Sequence, residues 1–256
     1  MRRLTRRRER RDPNEMTLIE HLEELRTRLI IVAVALAVTS IVGILFFDPI
    51  FKVALGPYCR ALEAIPPENR LLKGCALAFS SPVDPFLTRL KVGFFAGFLL
   101  ALPVILWQLW AFIVPGLTSR ERKLSIPFVL SSVALFAGGT LFAMLIIPRG
   151  LAFLFSFAGE SLTVLLTVDK YLSFLIVLVL VFGLSFEFPL LLIFLAGARV
   201  VTSAQMKRWR RYTYFGLAVF AMIATPTQDP YSMLLLWVPL LAFYEAAILV
   251  ARILKR

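Results

Sequence analysis

Few side chains in this sequence combine the type and placement that chemistry needs, and three of them are acids: Glu24, Glu121 and Glu187. Glu187 lies in FGLSFEFPLLLIF, residues 182–194, inside an apolar run whose surroundings are expected to be hydrocarbon. It follows Tyr171 by about 24 Å of helix, and roughly ten more apolar residues precede Arg199, so its carboxyl cannot snorkel to either surface. An ionisable group at that depth faces the bundle interior or a water-filled cavity and is read as functional by default. The bland alternative is a structural hydrogen bond to a neighbouring helix. Pro189, two residues on, frees the carbonyl of Ser185 and bends the helix, which makes a polar notch.

Glu24 belongs to TLIEHLEELRTRL, residues 17–29. Thr17 with Glu20 forms a capping box, and Leu18, Ile19, Leu22, Leu25 and Leu29 recur at helical spacing. The pattern predicts an amphipathic surface helix that runs into the first span, with Glu20, Glu23, Glu24, Arg26 and Arg28 on its wet side. Arg28 stands four residues after Glu24, in the favourable order for an ion pair. Such a pair stabilises a helix by only about 0.2–0.5 kcal/mol, so a stronger external cation can displace it. Both readings of Glu24 stand at this level. Glu121, between Arg120 and Arg122 in IVPGLTSRERK, reads by itself as a solvated loop residue, and Phe112 reads as an interfacial aromatic.

The inventory excludes several chemistries. His21 is the only histidine, so an intramembrane Ser-His pair, a two-histidine metal site and a histidine proton relay all lack parts. Gly183-Leu184-Ser185 lacks the strand-turn-helix context of a nucleophile elbow. No catalytic residue, cofactor or metal is expected. The formal charge of +12 raises nucleic acid as a partner, but MRRLTRRRERR has no aromatic residue to stack a base, so anionic membrane lipid is the expected neighbour and nucleic acid is not.

The elements that must position these acids are long apolar runs. Of 256 residues 59% are hydrophobic, with 23 Phe, and a run of about 18 or more such residues crosses a hydrocarbon layer about 30 Å thick. The sequence predicts an all-α integral membrane protein of six spans, at about 29–47, 86–114, 124–147, 171–198, 212–224 and 231–250, behind a basic tail, 1–16, with 17–256 forming one membrane domain. Pro103 lies inside the second span, and Pro57 in the first outward loop. TPTQDP, residues 225–230, breaks the last apolar stretch in two, because unpaired backbone in lipid is too costly. The fifth piece is therefore short, or re-entrant, and the sixth span is also expected to be short.

Most of the 28 Lys and Arg fall on one side of this arrangement: the tail from Arg2 to Arg11, Arg120 to Lys123, Arg199 to Arg211 and Arg252 to Arg256. Both termini are therefore expected in the cytoplasm. The basic tail imitates a targeting signal, but the apolar stretch behind it is too long for one and no small-residue cleavage site follows, so it is read as a retained span. Cys59 and Cys75 share the first outward loop, residues 48–85. A Cys59–Cys75 bridge is expected in an oxidising exterior, where it contributes on the order of 3 kcal/mol. The alternative is two separate small apolar side chains packed at the surface.

HLEELRTRL (21–29), LPVILWQLWAFIVPGLTSRER (102–122), YLSF (171–174) with FGLSFEFP (182–189), and ATPTQDPYS (224–232) occur in that order. Together they resemble the TatC family, the multi-spanning subunit of the twin-arginine protein translocase, over nearly the whole chain after the tail. The resemblance implies a receptor in a bacterial or archaeal cytoplasmic membrane. It would bind signal peptides bearing paired arginines, self-associate, assemble with single-span TatA-type and TatB-type subunits, and export folded proteins using the proton-motive force. It carries the peptide-recognition acids onto Glu24 and Glu121, places Arg26 and Phe112 in the same region, and makes Glu187 a contact for partner subunits. Guanidinium pairs bidentately with carboxylate, which gives two adjacent arginines a reason to need two acids. Two departures from the family pattern stand out: SRER where lysine-histidine commonly precedes the acid, and a longer spacing before Asp229, which leaves its role open between a family function and a structural one. The rival readings are a proton-coupled carrier, for which no repeated broken-helix halves are present, and a scaffold that only assembles other membrane proteins.

Overall fold

The computed structural model describes residues 18–63, 65, 74–113, 125–157, 165–197, 199–225 and 229–253. The described residues form seven helices: α1 (Leu18–Leu45), α2 (Phe47–Leu62), α3 (Asp84–Ile113), α4 (Ser125–Ser156), α5 (Val168–Gly197), α6 (Ser203–Ala224) and α7 (Pro230–Ile253). Among them α1, α3, α4, α5 and α7 are long and apolar enough to cross a membrane. They coincide with five of the expected spans. The remaining expected span, 212–224, is the apolar half of α6, whose first half carries Lys207, Arg208, Arg210 and Arg211. The basic tail, and Thr17 of the expected capping box, lie outside the described residues.

The expected surface helix and first span are one uninterrupted helix, α1. Its exposed face carries Ile19, Leu22, Leu29, Val34, Val38 and Ile41, whereas Glu24 and Arg28 are half-buried. This reverses the expected wet side at those two positions. When the outer solvent is lipid, an apolar face can point outward and polar groups find partners only inside the bundle.

α1 packs lengthwise on α3, and the contact is backbone on backbone. A Cβ at Gly43 would lie 2.3 Å from the carbonyl oxygen of Gly93, so no side chain fits at that crossing. Small residues at such crossings let membrane helices gain close dispersion contact where no hydrophobic drive exists. Thr39 Oγ1 donates to the carbonyl of Gly97 at 2.8 Å, which adds a hydrogen bond between the helices. A second close crossing joins α4 to α5, where a Cβ at Gly139 would stand 2.6 Å from the carbonyl oxygen of Phe182. Around α5 the core gathers Ile147 and Leu151 of α4, Tyr171, Leu175 and Phe182 of α5, and Leu236 and Tyr244 of α7.

The end of the bundle away from Leu18 is closed by structure that the hydropathy pattern did not announce. α2 is a 16-residue helix in the expected outward loop; it buries Ala54, Pro57, Tyr58 and Ala61. The buried Tyr171 hydroxyl donates to the carbonyl of Ala54 at 2.6 Å. Cys59 and Cys75 are joined by a disulfide across a separation of 16 residues. The two outward connections also pair: Ala78 N donates to Leu166 O at 3.1 Å, and Val168 N to Ala78 O at 3.0 Å.

The α4–α5 crossing supplies a test of the packing. Gly139→Ala should destabilise the purified protein by about 1–3 kcal/mol, the usual range for overpacking, and lower its thermal midpoint in detergent. Gly150→Ala, where an added Cβ meets nothing within 4 Å, should leave the midpoint unchanged or raise it.

Candidate functional site

Polar side chains concentrate where α1 begins and α3 ends. An open cavity of about 600 Å³ is lined there by Glu23, Glu24, Thr27, Arg28, Ile31 and Gln108. Glu24 and Arg28 fall one turn apart on the α1 face turned to α3, and Gln108 meets them from α3. Arg28 Nε donates to Glu24 Oε1 at 3.0 Å, and its Nη2 pairs with the same oxygen. Its Nη1 donates to Gln108 Oε1 at 3.1 Å. Glu24 Oε2 is buried and has no hydrogen-bond partner among the described residues. The local ion pair read from the sequence is therefore present, yet it engages only one carboxylate oxygen and leaves the other uncommitted.

Phe112 belongs to the same corner. Its ring stacks on His21 with centroids 4.4 Å apart and planes inclined by 21°, so it ties the start of α1 to the end of α3. Arg26 is exposed and does not line the cavity. Glu121 lies outside the described residues, in the connection between α3 and α4. Gln108 escaped the sequence reading, although a lone amide in LPVILWQLWAFIV was the available signal: in a lipid-embedded helix such a group needs a partner.

Glu187 occupies a different place, between α4 and α5. Ser132 Oγ donates to Glu187 Oε2 at 2.5 Å, and Oε1 is buried with no hydrogen-bond partner among the described residues. The carboxyl thus faces a neighbouring helix. Nearer the ends of those helices Trp110 stacks on Phe128 with centroids 3.8 Å apart, and Phe194 meets both rings edge-on. Ser132 also escaped the sequence reading, for nothing in the order of residues joins positions 132 and 187.

The remaining singled-out residues have local roles. Asp229 caps α7: its Oδ1 accepts from Ser232 N at 2.8 Å, and its carbonyl from Met233 N at 3.1 Å, with Pro230 opening the helix. Pro57 is buried in α2 and Pro103 is exposed in the middle of α3. Among the described residues no group of three or more His, Cys, Asp or Glu can hold a metal ion.

Comparison with known proteins points one way. The profile of the family described as Sec-independent protein translocase protein (TatC) matches residues 20–239. The TatC protein of Frankia casuarinae is 40% identical over 241 residues, covering 93% of this chain and 66% of the relative. That of Corynebacterium kroppenstedtii is 36% identical, again with 66% of its length covered, so the chain spans about two thirds of these relatives. The Aquifex aeolicus TatC protein is 36% identical over 244 residues, covering 94% of this chain and 97% of the relative. A crystal structure of a twin arginine translocase receptor, TatC, superimposes with a TM-score of 0.75 at 36% identity, covering 93% of this chain and all of that one.

The Ser132–Glu187 contact yields a prediction. Ser132→Ala removes the donor and should destabilise the protein by about 1–3 kcal/mol, the cost of an orphaned buried polar group. In the Glu187→Leu background the same serine change should cost measurably less, which thermal unfolding of the four proteins of the cycle will show.

Proposed function

The chain belongs to the TatC family of Sec-independent protein translocase proteins, and on that premise we propose that it is the receptor subunit of a twin-arginine translocase. Its ligand in this reading is a signal peptide with two adjacent arginines, bound where α1 begins and α3 ends. The observation that carries the reading is Glu24: a half-buried carboxylate in an open cavity, with one oxygen uncommitted among the described residues. A guanidinium bound there gains a charge-assisted hydrogen bond in surroundings drier than bulk water. Glu121 supplies the second acid, Phe112 ties the start of α1 to the end of α3 through its stack on His21, and Arg26 lies beside the site on the exposed face of α1.

In this reading the basic segments place the end carrying Leu18 in the cytoplasm, with both termini there, and the disulfide end on the oxidising side of a bacterial or archaeal inner membrane. α6 then crosses as a short fifth span, which the bilayer accommodates by thinning locally. Glu187, in its notch beside Ser132, is the contact for single-span TatA-type and TatB-type subunits. Copies of the chain associate with one another, and the proton-motive force drives transport of folded cargo.

Titration of the purified protein with a twin-arginine signal peptide tests the site. Glu24→Gln and Glu121→Gln should each weaken binding by about 10–100-fold, as expected for loss of a hydrogen-bonded charge. A Lys-Lys version of the peptide should bind the unaltered protein weakly and be little affected by either change. Equal binding of the two peptides by the unaltered protein would contradict the assignment.

A further inference from the structure

Glu24 is paired with an arginine, and that arginine belongs to the chain itself. All three guanidinium nitrogens of Arg28 are engaged, two by Glu24 Oε1 and one by Gln108 Oε1. The two charged side chains are only 22% and 21% exposed. We propose that Arg28 is a specificity-determining residue: an internal stand-in for the ligand, which an arriving arginine can replace at Glu24 and an arriving lysine cannot. The proposal rests on the reading of Glu24 as a peptide-binding acid.

Three observations support exchange. A half-buried carboxylate left without a counter-ion is costly, so the pair with Arg28 offsets that cost and fixes the orientation of Glu24. The pair spans a single helical turn and uses one carboxylate oxygen, so the second oxygen, buried and without a hydrogen-bond partner among the described residues, is left for an incoming guanidinium to engage as Arg28 moves away. Gln108 holds Arg28 from the opposite helix, so the displaced guanidinium keeps a partner when it lets go of Glu24. For an incoming arginine, one planar fork replaces another. A lysine brings a compact, strongly hydrated ammonium that cannot reproduce the fork, and it must still dislodge one.

Arg28 also neutralises Glu24 as seen from a distance, which removes that acid's share of the attraction and leaves the exposed Glu23 to draw arginine and lysine alike. Discrimination then comes from shape and not from net charge, and the repulsive element against the wrong ligand is built into the site.

The test uses the full-length protein in lipid nanodiscs, titrated with a twin-arginine signal peptide and with its Lys-Lys counterpart. In Arg28→Gln the Lys-Lys peptide should bind at least tenfold tighter, and the twin-arginine peptide should gain less, so the ratio of the two affinities falls. Arg28→Lys, which keeps the charge and loses the fork, should show a smaller fall and carries the same measurement should the glutamine variant not fold. Gln108→Leu removes the anchor for the displaced side chain and should move the twin-arginine affinity the other way, weakening it several-fold. Loss of twin-arginine binding in Arg28→Gln, or an unchanged ratio, overturns the proposal. A Glu24→Gln protein that still binds the twin-arginine peptide at full strength would instead overturn the underlying assignment of the site.

Discussion

A helix surrounded by hydrocarbon must find a partner for every polar group inside the protein, and that requirement organises this molecule. It turns Glu24 and Arg28 inward onto Gln108, sets Glu187 against Ser132, and lets the leucines, isoleucines and valines of α1 face outward. In a water-soluble bundle the same helix would be turned the other way round. The feature that makes α1 look inverted is thus the one that assembles the polar corner.

The two candidate acids among the described residues, Glu24 and Glu187, are paired differently. Glu24 is balanced by a full charge in an open cavity, an arrangement suited to exchanging one cation for another. Glu187 is held by a hydroxyl between two helices joined by a close crossing at Gly139, where a neutral or polar partner is the natural complement. Trp110, Phe128 and Phe194 pack together where α3, α4 and α5 converge.

The long spans were legible in the sequence because their signal is uninterrupted hydropathy, and α3, α5 and α7 begin and end within three residues of expectation. Glu187 stood out for the same reason, as an acid deep in such a run. α2 did not, because a 16-residue amphipathic helix with Pro57 inside it resembles loop sequence when the partner surface on α4 is unknown. The inward face of Glu24 was likewise hidden: periodicity identifies two faces of a helix but not which of them meets protein. Asp229 looked like a displaced motif residue, and its role as the cap of α7 emerged only with the helix boundary. Gln108 and Ser132 are partners at long range, which no single stretch of chain reveals.

The contact between Gly43 and Gly93 has a bearing on chemistry far from it. Fifteen residues separate Arg28 from Gly43, and fifteen separate Gly93 from Gln108, so two equal arms of about 22 Å run back from the crossing to the ion-paired corner. The glycines therefore serve as the zero mark of a ruler. A slip of one helical turn along that seam would offset Gln108 from Arg28 by about 5.4 Å, beyond the reach of a hydrogen bond. Alignment of the ion-paired corner is thus governed by two residues that have no side chains and lie far from it.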